Sequence, residues 1–287
     1  MSSIFVFPGQ GAQSVGMGKE LYETNAAARA VFDEVDDALG EKLSDIIFNG
    51  PAEELTLTAN VQPAIMATSI AMLRASGASL PEFVAGHSLG EYTALCAAGA
   101  LSVGDTAKLL RARGNAMQTA VPVGRGLTAV VLGMEIDMLR KICEETGCDV
   151  ANDNSPGQVV ISGLKEVVEQ TMAVAKDAGA KRAMPLALSV PVHCRVQSPA
   201  ADAMRTALDS VEFNKPIVPG ILQFHPRHCC RLQYQRLLLR NRLHCPWQHR
   251  FHKVSAYQCP AHRHQMRSHP LKLCRKSRRL SKSHFLL

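Results

Sequence analysis

Acidic residues and glycine are missing from the last part of this 287-residue chain. Residues 221–287, here called the basic tail, contain 15 Lys and Arg but no Asp, Glu or Gly. Residues 1–220 carry 17 basic and 25 acidic side chains, so their net charge of −8 and the tail's +15 give the total of +7. Average amino-acid usage does not produce such a double absence over 67 residues. A change of translation frame near Gly220 is our preferred interpretation, and a basic nucleic-acid-binding arm is the alternative.

Long apolar runs are also missing from the sequence. The longest, such as residues 62–73, fall well short of the roughly 20 residues that a transmembrane helix needs. The first residues have no basic side chain and only a four-residue apolar run before Pro8, which favours a first strand over a secretory signal. We therefore expect no membrane span and a cytoplasmic location.

Cysteine spacing typical of a metal site is lacking as well. Before the basic tail, Cys96, Cys143, Cys148 and Cys194 lie in unrelated contexts, and we expect free thiols there. Within the tail, residues 259–264 superficially resemble a ligand cluster, but no second cysteine pair follows at zinc-finger spacing. No metal site is predicted.

The order of apolar segments predicts an α/β fold in four parts. Residues 1–123 alternate short strands with helices, which is typical of a parallel sheet flanked by helices. Residues 124–189 have the βαββαβ order of a ferredoxin-like small subdomain. This subdomain is inserted in the large domain, which returns at residues 190–220. Residues 221–287 are expected to be poorly ordered.

Within the first part, the pattern predicts strands at residues 4–7 and 82–85. Helices are predicted at residues 16–31, 63–75 and 89–98. The second of these helices is expected to begin at Pro63, because proline is favoured at the first helical position.

A candidate nucleophile lies in Gly86-His87-Ser88-Leu89-Gly90. This segment follows a predicted strand and opens a predicted helix, as a nucleophile elbow requires. The glycines allow a sharp turn that presents the Ser88 hydroxyl, and the helix N-terminus offers N–H groups to a developing oxyanion. A tight turn with an inert serine is the alternative interpretation.

A base for Ser88 is predicted at His193. It is the one histidine before the basic tail besides His87, which is adjacent to Ser88 on the same turn and is expected to point elsewhere. The glycine-rich opening at residues 7–16 fits neither phosphate-loop template, since a third fingerprint glycine and a Walker lysine are both missing. Such a loop can still bring one backbone N–H to a neighbouring active site, and Gln10 is the candidate.

These segments resemble the malonyl-CoA:acyl-carrier-protein transacylases of fatty-acid synthesis and the related acyltransferase domains of polyketide synthases. The resemblance covers about residues 4–219. It implies an α/β-hydrolase-like large domain with a parallel sheet and an inserted ferredoxin-like subdomain. The motifs that carry it are Phe7-Pro8-Gly9-Gln10-Gly11, Gln62-Pro63-Ala64, Gly86-His87-Ser88-Leu89-Gly90-Glu91-Tyr92, Arg113-Gly114 with Met117-Gln118, Asn154-Ser155-Pro156-Gly157-Gln158-Val159-Val160 and Val190-Pro191-Val192-His193.

The resemblance implies a ping-pong transfer in which Ser88, activated by His193, takes a malonyl group from coenzyme A and passes it to acyl carrier protein. The backbone amides of Gln10 and Leu89 would form the oxyanion hole, and Arg113 would hold the malonyl carboxylate. Coenzyme A thioester is the substrate, so no cofactor is expected. Neither nucleic acid nor a membrane is expected as a partner, and we expect a monomer.

Departures from the family leave alternatives open. Thr128 and Gln197 stand where the family has methionine, and Val196 where it has leucine. In residues 221–287 we find none of the family's further strands and helices, including the segment whose carbonyl orients the catalytic histidine. An inactive chain derived from the family is therefore one alternative. A serine thioesterase and a nucleic-acid or acidic-membrane binder acting through the basic tail are the others.

Overall fold

A computed structural model describes residues 3–221 of the chain. Every prediction made for residues 222–287, including the poor order of the tail and its metal-like cluster, lies outside the described residues. The strands are β1 (Ile4–Phe7), β2 (Phe83–Gly86), β3 (Gly126–Leu132), β4 (Asp149–Ser155), β5 (Gln158–Leu164), β6 (Arg182–Pro185) and β7 (Gly220–Ile221). The helices are α1 (Lys19–Thr24), α2 (Ala26–Leu39), α3 (Leu43–Asn49), α4 (Ala52–Thr56), α5 (Thr58–Ser76), α6 (Gly90–Ala97), α7 (Val103–Ala120), α8 (Ile136–Thr146), α9 (Lys165–Asp177) and α10 (Ser198–Asp209), with a 3₁₀ turn at Arg195–Gln197.

The first sheet is parallel, with the strand order β1-β2-β7. Phe7 lies opposite Gly86, so β1 and β2 end at the same level. Because ligands of open parallel sheets bind beyond the carboxyl ends of the strands, this edge is where a site is expected. Ile221, which the sequence analysis assigned to the basic tail, pairs with Ala85, so the sheet extends one residue past the predicted boundary.

The second sheet has four antiparallel strands in the order β4-β5-β3-β6. Its chain order β3-α8-β4-β5-α9-β6 is the predicted ferredoxin-like arrangement. Apolar side chains from the sheet and both helices share one core, including Val131, Leu139, Ile161 and Val168, none more than 1% exposed. The predicted fold class is confirmed, while the exact domain bounds remain predictions.

The helix predicted over residues 16–31 is wrong in its extent. The structure has two helices there, α1 and α2, separated at Asn25. Asn25 is extended, and its side-chain oxygen accepts a hydrogen bond from the Ala28 N–H at 3.1 Å. This cap begins a new helix, because an asparagine side chain satisfies N–H groups that a helix start leaves without partners.

The predicted start of the next helix at Pro63 is also wrong, because α5 begins at Thr58 and includes Pro63. A proline inside a helix leaves the carbonyl four residues earlier without its donor, here the carbonyl of Ala59. Arg111 on α7 replaces that donor, since its Nη1 donates to the Ala59 oxygen at 2.8 Å. A contact from a distant helix thus stabilises a proline that local rules place at a helix start.

Apolar side chains remain at the surface of β1. Ile4 is 47% exposed and Val6 is 68% exposed, and alternate residues of a strand lie on the same face. Parallel sheets are usually covered on both faces, and among the described residues this face of β1 is open. None of the described helices combines the length and hydropathy needed to cross a bilayer.

Candidate active site

The turn between β2 and α6 presents Ser88 at the carboxyl edge of the parallel sheet. Its backbone is left-handed, with φ of 55°. A Cβ on Gly86 would lie 1.9 Å from the Gly90 oxygen, and one on Gly90 would lie 2.4 Å from the Phe7 oxygen. Both positions therefore need glycine, because strand, turn and helix approach too closely for a side chain. The turn therefore has the strand-turn-helix geometry that the sequence analysis predicted for a nucleophile elbow.

His193 reaches this turn from a segment 105 residues further along the chain, and its Nε2 lies 2.9 Å from Ser88 Oγ. The His193 backbone is also left-handed, with φ of 52°. Among residues 3–221, Ser88 and His193 are the only non-glycine residues with positive φ. Strained backbone of this kind costs on the order of 1–3 kcal/mol per residue and is concentrated at functional sites.

Buried polar groups hold the segment that carries His193. The Val192 N–H lies 3.0 Å from the Ser162 hydroxyl and 3.3 Å from the Thr128 hydroxyl. Gln197, which is fully buried, donates to the Pro191 carbonyl at 2.8 Å. Thr128 and Gln197 are two of the departures named in the sequence analysis, and both form hydrogen bonds with the backbone just before His193.

Ser189, at the start of the same segment, is bound to the first residue of α5. Its hydroxyl accepts from the Thr58 N–H at 2.9 Å and lies 2.9 Å from the Thr58 hydroxyl. It therefore caps α5 from 131 residues away. The Thr58 hydroxyl also accepts from Gln10 Nε2 at 3.3 Å, so the loop after β1 and the His193 segment share one anchor.

Arg113 on α7 lies beside the reactive pair. Its Nη2 donates to Ser88 Oγ at 3.2 Å and its Nη1 donates to Gln62 Oε1 at 2.6 Å. A Cβ on Gly114 would lie 2.4 Å from the Ala59 Cα, so this glycine allows α7 to pack closely on α5. Arg111, two residues earlier, points away and pairs with Glu41 near the surface.

Arg113 is only 6% exposed, and no carboxylate of the described residues forms an ion pair with its guanidinium. A buried charge normally requires a charged partner, so this arrangement leaves a strong binding site for an anion next to Ser88. A guanidinium can only donate, and Ser88 Oγ therefore accepts from Arg113. The hydrogen of the Ser88 hydroxyl is then available to the Nε2 of a neutral His193.

Two backbone N–H groups lie at the same edge. Leu89 precedes the first residue of α6, and Gln10 lies in the loop after β1, beside the Ser88 turn. Neither N–H donates to a described residue. A Cβ on Gly9 would lie 2.6 Å from His87 Nδ1, which shows how closely this loop packs on the turn.

Burial favours the neutral form of two ionisable groups next to the reactive pair, Cys194 and His87. Burial raises the pKa of the Cys194 thiol, directly after His193, to about 12, so it is not a competing nucleophile. Burial lowers the pKa of His87, and the charge of Arg113 lowers it further. Arg113 therefore remains the strongest positive charge beside Ser88 among the described residues.

The sequence analysis assigned no role to Gln62, Thr58 or Ser189. Gln62 lies in a quoted family motif, and Ser189 precedes another, but neither motif reveals the partner of its side chain. These contacts join residues that are 48 to 131 positions apart, so local pattern could not have found them.

Comparison with known proteins identifies the class. The model of the acyl transferase domain matches residues 4–234 of the chain. This chain belongs to that family, which confirms the predicted resemblance. The match extends past residue 219, where the predicted resemblance ended because none of the family's further strands and helices was found in residues 221–287.

Comparison with individual proteins gives a more specific result than the family model, because the relatives it finds are transacylases. The malonyl CoA-acyl carrier protein transacylase of Bacillus subtilis (strain 168) is 51% identical over 230 residues, which are 77% of this chain and 72% of that protein. The crystal structure of an acyl-carrier-protein-S-malonyltransferase from Bartonella henselae is 55% identical, with a TM-score of 0.74 over 77% of this chain and 74% of that one. A structure of a type II PKS acyl-carrier protein in complex with its malonyl-transacylase is 42% identical, with a TM-score of 0.74 over the same shares.

Proposed function

We propose that this chain is an acyltransferase that moves a malonyl group from coenzyme A to the phosphopantetheine thiol of acyl carrier protein, in fatty-acid biosynthesis. The observation that carries the proposal is the buried Arg113 guanidinium, which contacts Ser88 and has no acidic partner among the described residues. Malonyl is an acyl group with a free carboxylate, and this guanidinium supplies the matching charge. The names of the relatives support the same substrates.

The first half-reaction forms a malonyl-serine. Ser88 Oγ attacks the thioester carbonyl while His193 Nε2 takes the hydroxyl proton. The new bond joins Oγ to the carbonyl carbon, and the bond from that carbon to the coenzyme A sulfur breaks. His193 returns the proton to the departing sulfur, so that coenzyme A leaves as a thiol.

The second half-reaction reverses these steps with a different thiol. The phosphopantetheine sulfur attacks the malonyl-serine as His193 takes its proton, and Ser88 recovers that proton when its ester bond breaks. The N–H groups of Gln10 and Leu89 stabilise the oxyanion of both tetrahedral intermediates, each such donor contributing about 10²–10³ in rate.

Arg113 gives the reaction its preference for malonyl over acetyl. It binds the malonyl carboxylate in the low-dielectric site, whereas an acetyl group leaves the guanidinium without an anion. Serine, imidazole and guanidinium supply nucleophile, base and anion site, so the proposal requires no cofactor beyond the coenzyme A thioester. We further propose that the chain acts as a cytoplasmic monomer.

Acylation of Ser88 tests this function directly. The purified chain is mixed with malonyl-CoA, and its intact mass is compared with that of Ser88→Ala. We expect wild type to gain one malonyl group and lose it on addition of phosphopantetheinylated carrier protein, while Ser88→Ala gains nothing. Release to water in place of the carrier thiol would identify a thioesterase instead.

A second candidate, a chain of this family that does not catalyse transfer, is favoured by one observation. Val6 in the parallel sheet is 68% exposed, where sheets of this kind are usually covered. The same mass measurement decides between the candidates, because an inactive chain forms no malonyl-serine.

A further inference from the structure

Gln62 is completely buried on α5, and both ends of its side-chain amide are engaged. Its Oε1 accepts from Arg113 Nη1 at 2.6 Å, and its Nε2 lies 3.4 Å from the Met117 sulfur. A thioether can only accept, and a guanidinium can only donate. The amide therefore has one satisfactory orientation, with its oxygen toward Arg113.

This contact fixes the direction of the guanidinium. With Nη1 bound to Gln62, Nη2 is directed toward Ser88 Oγ at 3.2 Å. An arginine side chain has several rotatable bonds and would otherwise adopt other positions at small cost. Gln62 thus holds the positive charge at the place where the acyl group of a Ser88 ester begins.

The neutrality of Gln62 matters as much as its position. A carboxylate in its place would pair with Arg113 and neutralise it, leaving no net charge for the substrate. An amide oxygen satisfies the guanidinium geometrically but does not cancel its charge. Arg113 therefore stays available to a second acceptor that is an anion.

We propose that Gln62 is a specificity-determining positioning residue, which orients Arg113 without neutralising it and so selects acyl thioesters that carry a free carboxylate. This inference rests on the proposed function. It adds a residue that does not itself touch the substrate and acts through Arg113.

Two variants of Gln62 test the inference through the ratio of kcat/KM for malonyl-CoA to that for acetyl-CoA. For Gln62→Glu we expect the ratio to fall about 10²-fold, because the new carboxylate competes with malonyl for Arg113. For Gln62→Leu, which has a similar volume but no hydrogen-bonding group, we expect a fall of about tenfold, mainly through a higher KM for malonyl-CoA. In both variants acetyl transfer stays near the wild-type rate, which shows that Ser88 and His193 are intact.

Gln118→Glu is the matched control. Gln118 Oε1 accepts from the Ala59 N–H at 2.7 Å, and a carboxylate can accept the same bond at this helix N-terminus. Gln118→Glu adds one negative charge, as Gln62→Glu does, but it lies on α7 and leaves the Gln62 oxygen bound to Arg113. We therefore expect the malonyl-to-acetyl ratio to stay within about twofold of wild type.

Each outcome decides the matter. An unchanged ratio in Gln62→Glu, or equal losses of malonyl and acetyl transfer in both Gln62 variants, overturns the inference and leaves the proposed function standing. A wild-type chain that forms no malonyl-serine overturns the proposed function and this inference with it. A ratio that falls in both Gln62 variants but not in Gln118→Glu supports the assignment.

Discussion

The turn that carries Ser88 and the segment that carries His193 are held in different ways. The Ser88 turn depends on backbone packing, because Gly86 and Gly90 leave no room for a Cβ. The His193 segment depends on side-chain hydrogen bonds from other parts of the fold, among them those of Ser162 and Gln197. Both residues nevertheless have the same left-handed backbone.

This difference predicts different sensitivity to substitution. The Ser88 turn has no room for a side chain at Gly86 or Gly90, so one added methyl group at either position changes the turn itself. Hydrogen bonds around the His193 segment are several and partly redundant, so losing one should shift the imidazole only slightly. The following substitutions test this comparison in order of expected effect.

Gly86→Ala should have the largest effect. The added Cβ would lie 1.9 Å from the Gly90 oxygen, a distance that real structures do not show. We expect the rate of Ser88 acylation to fall at least about 10⁴-fold, as if the nucleophile had been removed, together with a lower Tm. Intact mass after malonyl-CoA treatment and thermal unfolding measure the two effects.

Gly163→Ala is its control, since a Cβ there meets Val168 at an ordinary 3.7 Å. Near-normal acylation by Gly86→Ala would refute the steric account of the turn.

Arg113→Ala should come next, because it removes the buried cation that donates to Ser88 Oγ. We expect kcat/KM for malonyl-CoA to fall about 10²–10³-fold, a scale typical of truncating a buried charged partner. Acetyl transfer should change much less. Arg140→Ala, which removes a surface arginine paired with Asp137, should leave both activities unaltered. Equal loss of both substrates would contradict the carboxylate role.

The double variant Thr128→Val with Ser162→Ala removes both acceptors near the Val192 N–H. A buried N–H without a partner costs about 1–3 kcal/mol, and some of this cost should displace His193. We expect kcat to fall about tenfold with little change in the KM for malonyl-CoA. Stopped-flow acylation measures this step.

Thr171→Val is the control for this double variant, since it removes a fully buried hydroxyl whose partners are the Val167 carbonyl and the Thr146 hydroxyl, not the His193 segment. A similar loss of kcat in this control would mean that general destabilisation, and not the His193 segment, is responsible.

Arg195→Gln should have the smallest effect. Arg195 pairs with Asp149 at 2.8 Å just after the His193 segment, but its side chain is 67% exposed. Exposed ion pairs contribute about 0–1 kcal/mol, so kcat should change less than about threefold and depend little on salt. A tenfold loss would show that surface charge, and not the buried hydrogen bonds, positions the imidazole.

The sequence predicted those parts of the fold and candidate site that local pattern determines. The strand, turn and helix around Ser88 and the βαββαβ order of residues 124–189 follow from glycine placement and apolar periodicity, and the structure has both. Helices α3 and α4 were not predicted, because each is seven residues or fewer. The error at Pro63 came from a contact with Arg111 that no local rule contains.

The partners within the site could be predicted only in part. The pairing of Ser88 with His193 was expected because few histidines precede the basic tail, and the structure brings the two side chains together. Gln62 and Ser189 act through residues far away in sequence, and their hydrogen bonds exist only once α5, α7 and the His193 segment have packed. The catalytic roles themselves remain predictions for the experiments above.

Thr58 and Gln62 lie one turn apart on α5, and this turn has a consequence for redesign. Thr58 binds the Gln10 side chain and Ser189, while Gln62 binds Arg113. Engineers who wish the enzyme to accept a new acyl group would naturally change Arg113 first. Replacing Arg113 leaves the buried Gln62 oxygen without its donor, on the same helix that anchors the Gln10 loop and the His193 segment. Libraries should therefore vary position 62 together with position 113 while keeping Thr58 constant.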